Sequence, residues 1–495
     1  MPLTTTSSLK GSSSAPRPFH TPWTRGWALI LALALTGPAF AQGAANDARA
    51  LVEAAMARRQ PNILLIVADD LGYGDLGCYG QQRIRTPNLD RLAREGARFT
   101  QFYAGSTVCA PSRAVLMTGR HTGHQRIRGN DQRPLLPGEG LLASLLQKGR
   151  YQTALFGKWG LGQAGSSGEP NRQGFEEWRG YLDQVHAHDY YPSNLFRNGE
   201  PWALPQNENG RKGLYAQDLF MQMTTNYLRT AQFRPFFLYL AWTLPHANNE
   251  LGRATGNGME IPSDAPYSSE PWPAPEKNKA AMITRMDRDV GRVLDILRAY
   301  KMETNTLVLF TSDNGPHSEG GVKAEFHKSS GPLRGIKRDM YEGGIRVPLI
   351  ARWPGRIPAG RVSEELWAFW DLLPTLTDCA LLPRPEGIDG LSMYRDLLGL
   401  ATTNRHAHLY WEFHEGGSKQ AARVGDWKGI RNEAGGKLEL YNLKSDIGET
   451  NNVAAARPDV VEKVEAILKS ARTDDPDWPL KPKPPSPPAA AGADR

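Results

Sequence analysis

Cys109-Ala110-Pro111-Ser112-Arg113 places a thiol, a proline and a guanidinium within five residues. The proline and the apolar run Ala114-Val115-Leu116-Met117 behind it predict a helix starting at Cys109, with Pro111 in the first turn, where its missing N–H costs nothing. Unpaired backbone N–H groups and the positive end of the helix dipole then surround the thiol and favour an anion, and Arg113 returns to the same face one turn later. A nucleophile and an anion clamp would share one spot. The competing use of a lone cysteine is a buried structural thiol. Against it, C-x-P-x-R arises by chance in a chain of this length on the order of one or two times in a hundred.

Two polar pairs offer a second kind of chemistry. Asp69-Asp70 and Asp313-Asn314 are hard oxygen donors without a thiolate or imidazole among them, a set suited to calcium first and magnesium second. Alone, such a pair at a strand end is ordinary turn chemistry. Two of them beside the Cys109 motif favour a metal. Arg113, Lys158 and Lys337 are candidate cationic clamps. His246 is a candidate proton donor near neutral pH and His317 a candidate proton donor or substrate-binding group, with loop hydrogen bonding as their ordinary alternative.

These residues must be carried to one place by the fold. Asn62–Ala68 is a continuous apolar run, as in a buried parallel strand, and it ends in Asp69-Asp70. Thr306–Thr311 ends in Ser312-Asp313-Asn314, Tyr151–Phe156 runs into Gly157-Lys158, and Pro235–Trp242 runs into Thr243-Leu244-Pro245-His246. Polar groups at the carboxyl ends of parallel strands converge on one edge of an open α/β sheet. Helical spacing over Met282–Leu297 and Leu141–Leu146 supplies the crossovers, so the fold class is α/β, a doubly wound, mostly parallel sheet flanked by helices over residues 61–383. The stretch from about 248 to 278, rich in Gly, Pro, Ser and Asn, reads as a long surface loop over the site. His408–Phe413, Ala421–Arg431 and Leu438–Leu443 read as short antiparallel strands, followed by a helix over Val460–Ala471. That predicts a smaller α+β domain over 384–472. From 473 to 495, Pro, Ala and charge predict a disordered tail.

Ahead of the first strand, Trp27–Leu35 is a short apolar core following three cations, and Ala39-Phe40-Ala41 is an A-x-A site. Residues 1–41 therefore predict a signal peptide, with a linker over 42–60 and a secreted or periplasmic product without a stable membrane anchor. The formal charge of +7 loses Lys10, Arg17 and Arg25 with that segment and falls to +4. This mild excess suits an acidic small molecule and lacks the basic runs of a nucleic-acid binder. Of three cysteines, Cys78 and Cys379 remain beside Cys109, and both are expected to be unpaired and buried.

The Cys109 motif, continued by Leu116-Met117-Thr118-Gly119-Arg120, resembles the formylglycine signature of the type I sulfatases, of the alkaline-phosphatase-like superfamily. Gly331–Pro348 around Lys337, Arg423–Lys428 and Glu439–Asn442 are similar to that family's segments and fall in its order. The resemblance implies sulfate ester hydrolysis. Cys109 would be oxidised by a maturation enzyme to formylglycine, whose hydrate attacks sulfur with one hydroxyl and expels sulfate with the other. It also implies one divalent cation held by Asp69, Asp70, Asp313 and Asn314 with residue 109. Arg113 and Lys337 would lie on the sulfate and formylglycine oxygens, and Lys158 and His246 at the leaving oxygen. Gln184–Pro192, with His188, and Trp411–His414, with His414, look similar to sugar-contacting segments of sulfatases acting on sulfated galactose or N-acetylgalactosamine. Edge-loop packing is the alternative for both. Two other readings remain, a formylglycine-dependent phosphodiester or phosphonate monoester hydrolase and a non-catalytic glycan-binding relative.

The chain departs from the family at one point. Many sulfatases carry histidine two residues after the motif lysine, whereas this chain reads Lys158-Trp159-Gly160-Leu161-Gly162. His186 and His188 are the candidates to replace it, and Asp189 and Tyr190-Tyr191-Pro192 beside it favour His188.

Overall fold

The computed structural model describes residues 60–482, so the signal peptide expected over 1–41, nearly all of the linker and residues 483–495 lie outside the described residues. Strands through the first part of the chain are β1 (Asn62–Ala68), β2 (Ala97–Phe99), β3 (Phe102–Tyr103), β4 (Gln152–Lys158), β5 (Glu177–Tyr181), β6 (Asn194–Arg197), β7 (Glu200–Ala203), β8 (Phe236–Ala241), β9 (Thr306–Ser312), β10 (Leu349–Arg352), β11 (Arg361–Ser363) and β12 (Trp367–Ala368). All but β3 and β12, which pair with each other, form one ten-stranded sheet ordered β11-β2-β10-β9-β1-β8-β4-β5-β6-β7.

At its centre β9, β1, β8, β4 and β5 run parallel. Ala68 pairs with Ser312, Val67 with Ala241, and Ala241 with Gly157. The segments beginning Asp69, Asp313, Thr243 and Lys158 therefore leave adjacent strands at the same edge, as their apolar runs predicted. Period-two alternation divides β1 between two cores. Ile63, Leu65 and Val67 enter one and Leu64, Ile66 and Ala68 the other. The first core is closed by helices α2 (Cys109–Thr118), α3 (Leu141–Lys148) and α7 (Phe369–Cys379). The second is closed by α1 (Pro87–Glu95), α4 (Ala216–Thr230) and α6 (Ala274–Ala299). This is the doubly wound arrangement expected.

The smaller sheet is antiparallel, β13 (Leu409–Phe413), β14 (Lys419–Val424), β15 (Trp427–Arg431) and β16 (Glu439–Asn442), and α8 (Pro458–Ser470) packs on it through Val460, Val464 and Leu468. It is keyed to the main body by charge as well as by apolar contact. Lys428 Nζ donates to Glu342 at 2.9 Å and pairs with Glu449 at 3.0 Å, and Arg128 pairs with Glu412 at 2.5 Å, all buried.

Three details differ from the sequence reading. The stretch from 248 to 278 contains a helix, α5 (Asn249–Thr255), because Asn248 caps it by accepting from the Leu251 N–H. Residues 473–482 are ordered against the body. Thr473 N donates to Gly123 O at 2.9 Å, the Trp478 indole N–H donates to Arg126 O at 2.7 Å, and Ser418 N donates to Lys481 O at 2.9 Å. One tryptophan anchors a segment whose composition alone signals disorder. Cys78 and Cys379 are both free, but Cys78 is only half-buried.

Candidate active site

Cys109 is the first residue of α2, preceded by extended Val108. Asn130 Oδ1 accepts the Ala110 N–H at 2.9 Å and so fixes the helix start. One turn on, the Arg113 Nε and Nη2 donate to Asp313 Oδ2 at 3.0 and 2.8 Å, and its Nη1 donates to Lys158 O at 3.0 Å. The guanidinium is thus locked on both edges. The Cys109 thiol lies 3.2 Å from Asp69 Oδ1, and burial together with Asp69 pushes its pKa well up. As a thiol it is a poor nucleophile in this place.

Around it stand three carboxylates. Asp69 Oδ2 accepts from Lys158 Nζ at 2.7 Å, and Asp70 Oδ2 accepts from Lys337 Nζ at 2.9 Å. Asp70 Oδ1 accepts from Asn314 Nδ2 at 2.7 Å, and Asp313 Oδ1 accepts the Asp70 N–H at 3.2 Å. Burial would raise Asp69, but the charges of Lys158, Arg113 and Lys337 outweigh it and hold it well below the usual carboxylate range. Asp313 goes the other way, to about 7, because burial and the adjacent Asp69 outweigh Arg113. A divalent cation would relieve that repulsion. The buried Asn314 Oδ1 has no hydrogen-bond partner, and an orphaned amide oxygen beside three carboxylates is the donor set of a hard cation. Asp69, Asp70, Cys109 and His246 present ligand atoms within 4.8 Å of one another. The predicted metal residues therefore do come together and fit a metal ion.

Burial and Lys337 hold His246 well below its ordinary pKa, so it is neutral. Its Nδ1 lies 2.7 Å from the Ala247 carbonyl, which can only accept, so the proton sits on Nδ1. Nε2 is then an acceptor, 3.2 Å from Lys337 Nζ. His188 is stacked on His246, and its Nδ1 contacts Glu250 Oε2 of α5 at 2.8 Å.

The other two predicted histidines are occupied elsewhere. His317 backs the cluster, but its Nδ1 accepts the Glu319 N–H at 3.0 Å and its Nε2 faces Pro245 O at 3.2 Å, which leaves no free nitrogen. His414 spends one nitrogen on Ser418 Oγ and the other on Glu412 Oε1, each at 3.0 Å. It braces the buried Arg128–Glu412 ion pair, so both of its ring nitrogens are engaged within the protein.

Two neighbours escaped sequence reading, and a third, Gln184, is legible there only as the start of the Gln184–Pro192 segment. Glu319 pairs with Lys337 at 3.3 Å, Glu250 holds His188, and Gln184 fills the space at Gly160. Nothing in the sequence near Glu319 or Glu250 marks it. For Gln184 the missing side chain at Gly160 was the available signal, and it pointed instead to His188.

Residues 61–381, more than half of the chain, match the sulfatase family profile. The chain belongs to the sulfatase family. It is therefore a sulfuric ester hydrolase, and residues 336–474 also match the C-terminal region described as that of N-sulphoglucosamine sulphohydrolase. This sulfatase is 33% identical over 439 residues to dog N-acetylgalactosamine-6-sulfatase, covering 81% of its own chain and 75% of that protein. It is likewise 33% identical over 483 residues to human arylsulfatase A, covering 84% and 89%. Among solved structures it is similar to Ps i-CgsB in complex with k-i-k-neocarrahexaose, with 28% identity, a TM-score of 0.74, and coverage of 85% of this sulfatase and 95% of that chain. Among its described residues no helix is long and apolar enough to cross a membrane.

Proposed function

We propose that this sulfatase hydrolyses sulfate esters of carbohydrates, such as galactose- or N-acetylgalactosamine-sulfate, with Cys109 oxidised to formylglycine and calcium, or failing it magnesium, held by Asp69, Asp70, Asp313, Asn314 and residue 109. Formylglycine would supply the covalent nucleophile, and the ion would polarise the sulfuryl group. The observation that carries this reading is the Cys109 thiol itself. It heads a helix, beside three carboxylates and an orphaned amide oxygen, with its pKa raised, so it is placed for attack only after it has been converted.

The chain's own side chains do the rest. Arg113, pinned by Asp313, keeps a fixed positive charge at the helix terminus for the sulfate oxygens. Lys337 stays charged because Asp70 and Glu319 outweigh its burial, and Lys158 because Asp69 does. His246 Nε2 takes up a proton from solvent and delivers it to the departing sugar oxygen, a poor leaving group without one, while Lys337 Nζ, 3.2 Å away, keeps its charge. His188 carries its proton on Nδ1 toward Glu250, so its Nε2 is the face that accepts a sugar hydroxyl.

A sugar substrate is supported by the carbohydrate in the relatives' names and titles. A formylglycine-generating enzyme is the required partner, and the 1–41 segment supports a secreted or periplasmic enzyme. Turnover of sulfated monosaccharides compared with aryl sulfate and aryl phosphonate esters tests the assignment. Sulfate esters should be preferred, and a higher efficiency on the phosphorus ester would overturn it.

A further inference from the structure

Gly160 has φ +78, and a Cβ there would lie 2.1 Å from Gln184 Nε2. That nitrogen is buried and has no hydrogen-bond acceptor. Leaving a buried amide donor unpaired costs about 1–3 kcal/mol, so an acceptor that arrives with a ligand is the economical explanation. The surroundings say where that ligand lies. Lys158, two residues before Gly160, meets Asp69 at 2.7 Å, while Trp159 between them turns into the first core, its indole N–H donating to Gly168 O at 2.7 Å. Four residues beyond Gln184, His188 packs on His246, which itself lies 3.4 Å from Asp70. The Gln184 amide thus packs at Gly160, on a segment whose Lys158 reaches the Cys109 cluster, and precedes His188, whose ring packs on His246.

We infer that Gln184 is a substrate-binding residue whose Nε2–H donates to an oxygen of the bound sulfate group. The inference rests on the sulfatase reading and deepens it. A sulfate ester presents only acceptor oxygens, which is the complement of an unpaired NH2 group, and a neutral amide binds it without titrating. Glycine at 160 is what makes room, since any side chain there would displace the amide.

The test uses the full-length, metal-loaded enzyme with Gln184→Ala and Gln184→Glu, a simple aryl sulfate, and inorganic sulfate as a sugar-free probe. Losing a hydrogen bond to a charged group lowers kcat/KM on the aryl sulfate and weakens binding of inorganic sulfate by roughly 10- to 100-fold in Gln184→Ala. Gln184→Glu, which sets an anion against an anion, loses more. Sulfate binding is read independently as the rise in melting temperature that sulfate produces, so the proposal is decided even if no sulfatase turnover is seen, an outcome that would count against the parent reading instead. Wild-type sulfate affinity in both variants would overturn the role of Gln184. So would a loss confined to sugar substrates, or a lowered melting temperature with unchanged sulfate binding, because each assigns Gln184 to the sugar or to packing.

Discussion

His188 lies against His246 with ring centroids 4.9 Å apart and planes 12° from parallel. The two rings are far apart in sequence, one on a short helical turn after β5 and the other after β8. Burial first, and then Lys158, lower the His188 pKa despite the Glu250 contact, so both rings are neutral and each keeps Nδ1 protonated. His188→Ala should therefore remove a sugar contact and the wall that orients His246. On a sulfated sugar, turnover should fall by at least the roughly hundredfold typical of losing a general acid or base. On an activated aryl sulfate, whose leaving group needs no proton, the loss should be much smaller. Equal losses on both substrates would show that His188 acts on the sulfate step.

The metal site has a stability signature. Chelation should lower activity and melting temperature together, because a ligand at a hundred times its Kd stabilises the native state by about 2.7 kcal/mol. Asp313→Ala should melt near the chelated wild type, lowered further by the loss of a partner for buried Arg113, and should no longer respond to chelator. A chelator effect that persists undiminished in Asp313→Ala would place the ion elsewhere.

Gly157 ends the approach to Lys158 with φ +123, and a Cβ there would lie 1.9 Å from the backbone oxygen of Ala241 on β8. Gly157→Ala should force β4 away from β8 and separate Lys158 from the His246 loop. A cost of about 2 kcal/mol or more is expected from overpacking and the left-handed backbone. Chemical denaturation with unchanged midpoint would contradict that close approach.

Much of this site was legible because buried parallel strands write themselves as continuous apolar runs, and β1, β9, β8 and β4 each end in polar residues that share an edge. The helix at Cys109 was legible from Pro111 and the apolar residues behind it. Other features come from packing that no local pattern encodes. Glu250 acts through α5, hidden in a Gly- and Pro-rich stretch, and residues 473–482 are held by contacts that include the Trp478 indole. His414 shows the converse. Its neighbours Trp411 and Phe413 resemble a sugar platform in sequence, yet they are buried in the core and leave the imidazole to brace Glu412.

Glu412 joins the smaller sheet to the main body, accepting from Arg128, Arg472, Tyr410 and His414. Burial opposes ionisation, but the hydrogen bond from His414 and the charges of Arg128 and Arg472 lower its pKa to about 2. Because the folded value lies below the unfolded one, near 4.3, its stabilisation is complete above that pH and is lost as the pH falls toward about 2. It amounts to about 3 kcal/mol. Glu412→Gln should lower stability at pH 7 and flatten the acid limb between those values, as followed by denaturant midpoints at a series of pH values. An unchanged acid limb would locate the acid sensitivity in other carboxylates.

The central claim concerns the chemical state of one residue. Mass analysis of the peptide containing Cys109, from protein co-expressed with a formylglycine-generating enzyme and assayed in parallel on an aryl sulfate, tests it most directly. The account predicts conversion of the thiol to an aldehyde, with activity proportional to the converted fraction and absent from Cys109→Ala. Full activity in protein whose Cys109 remains an unmodified thiol would contradict it.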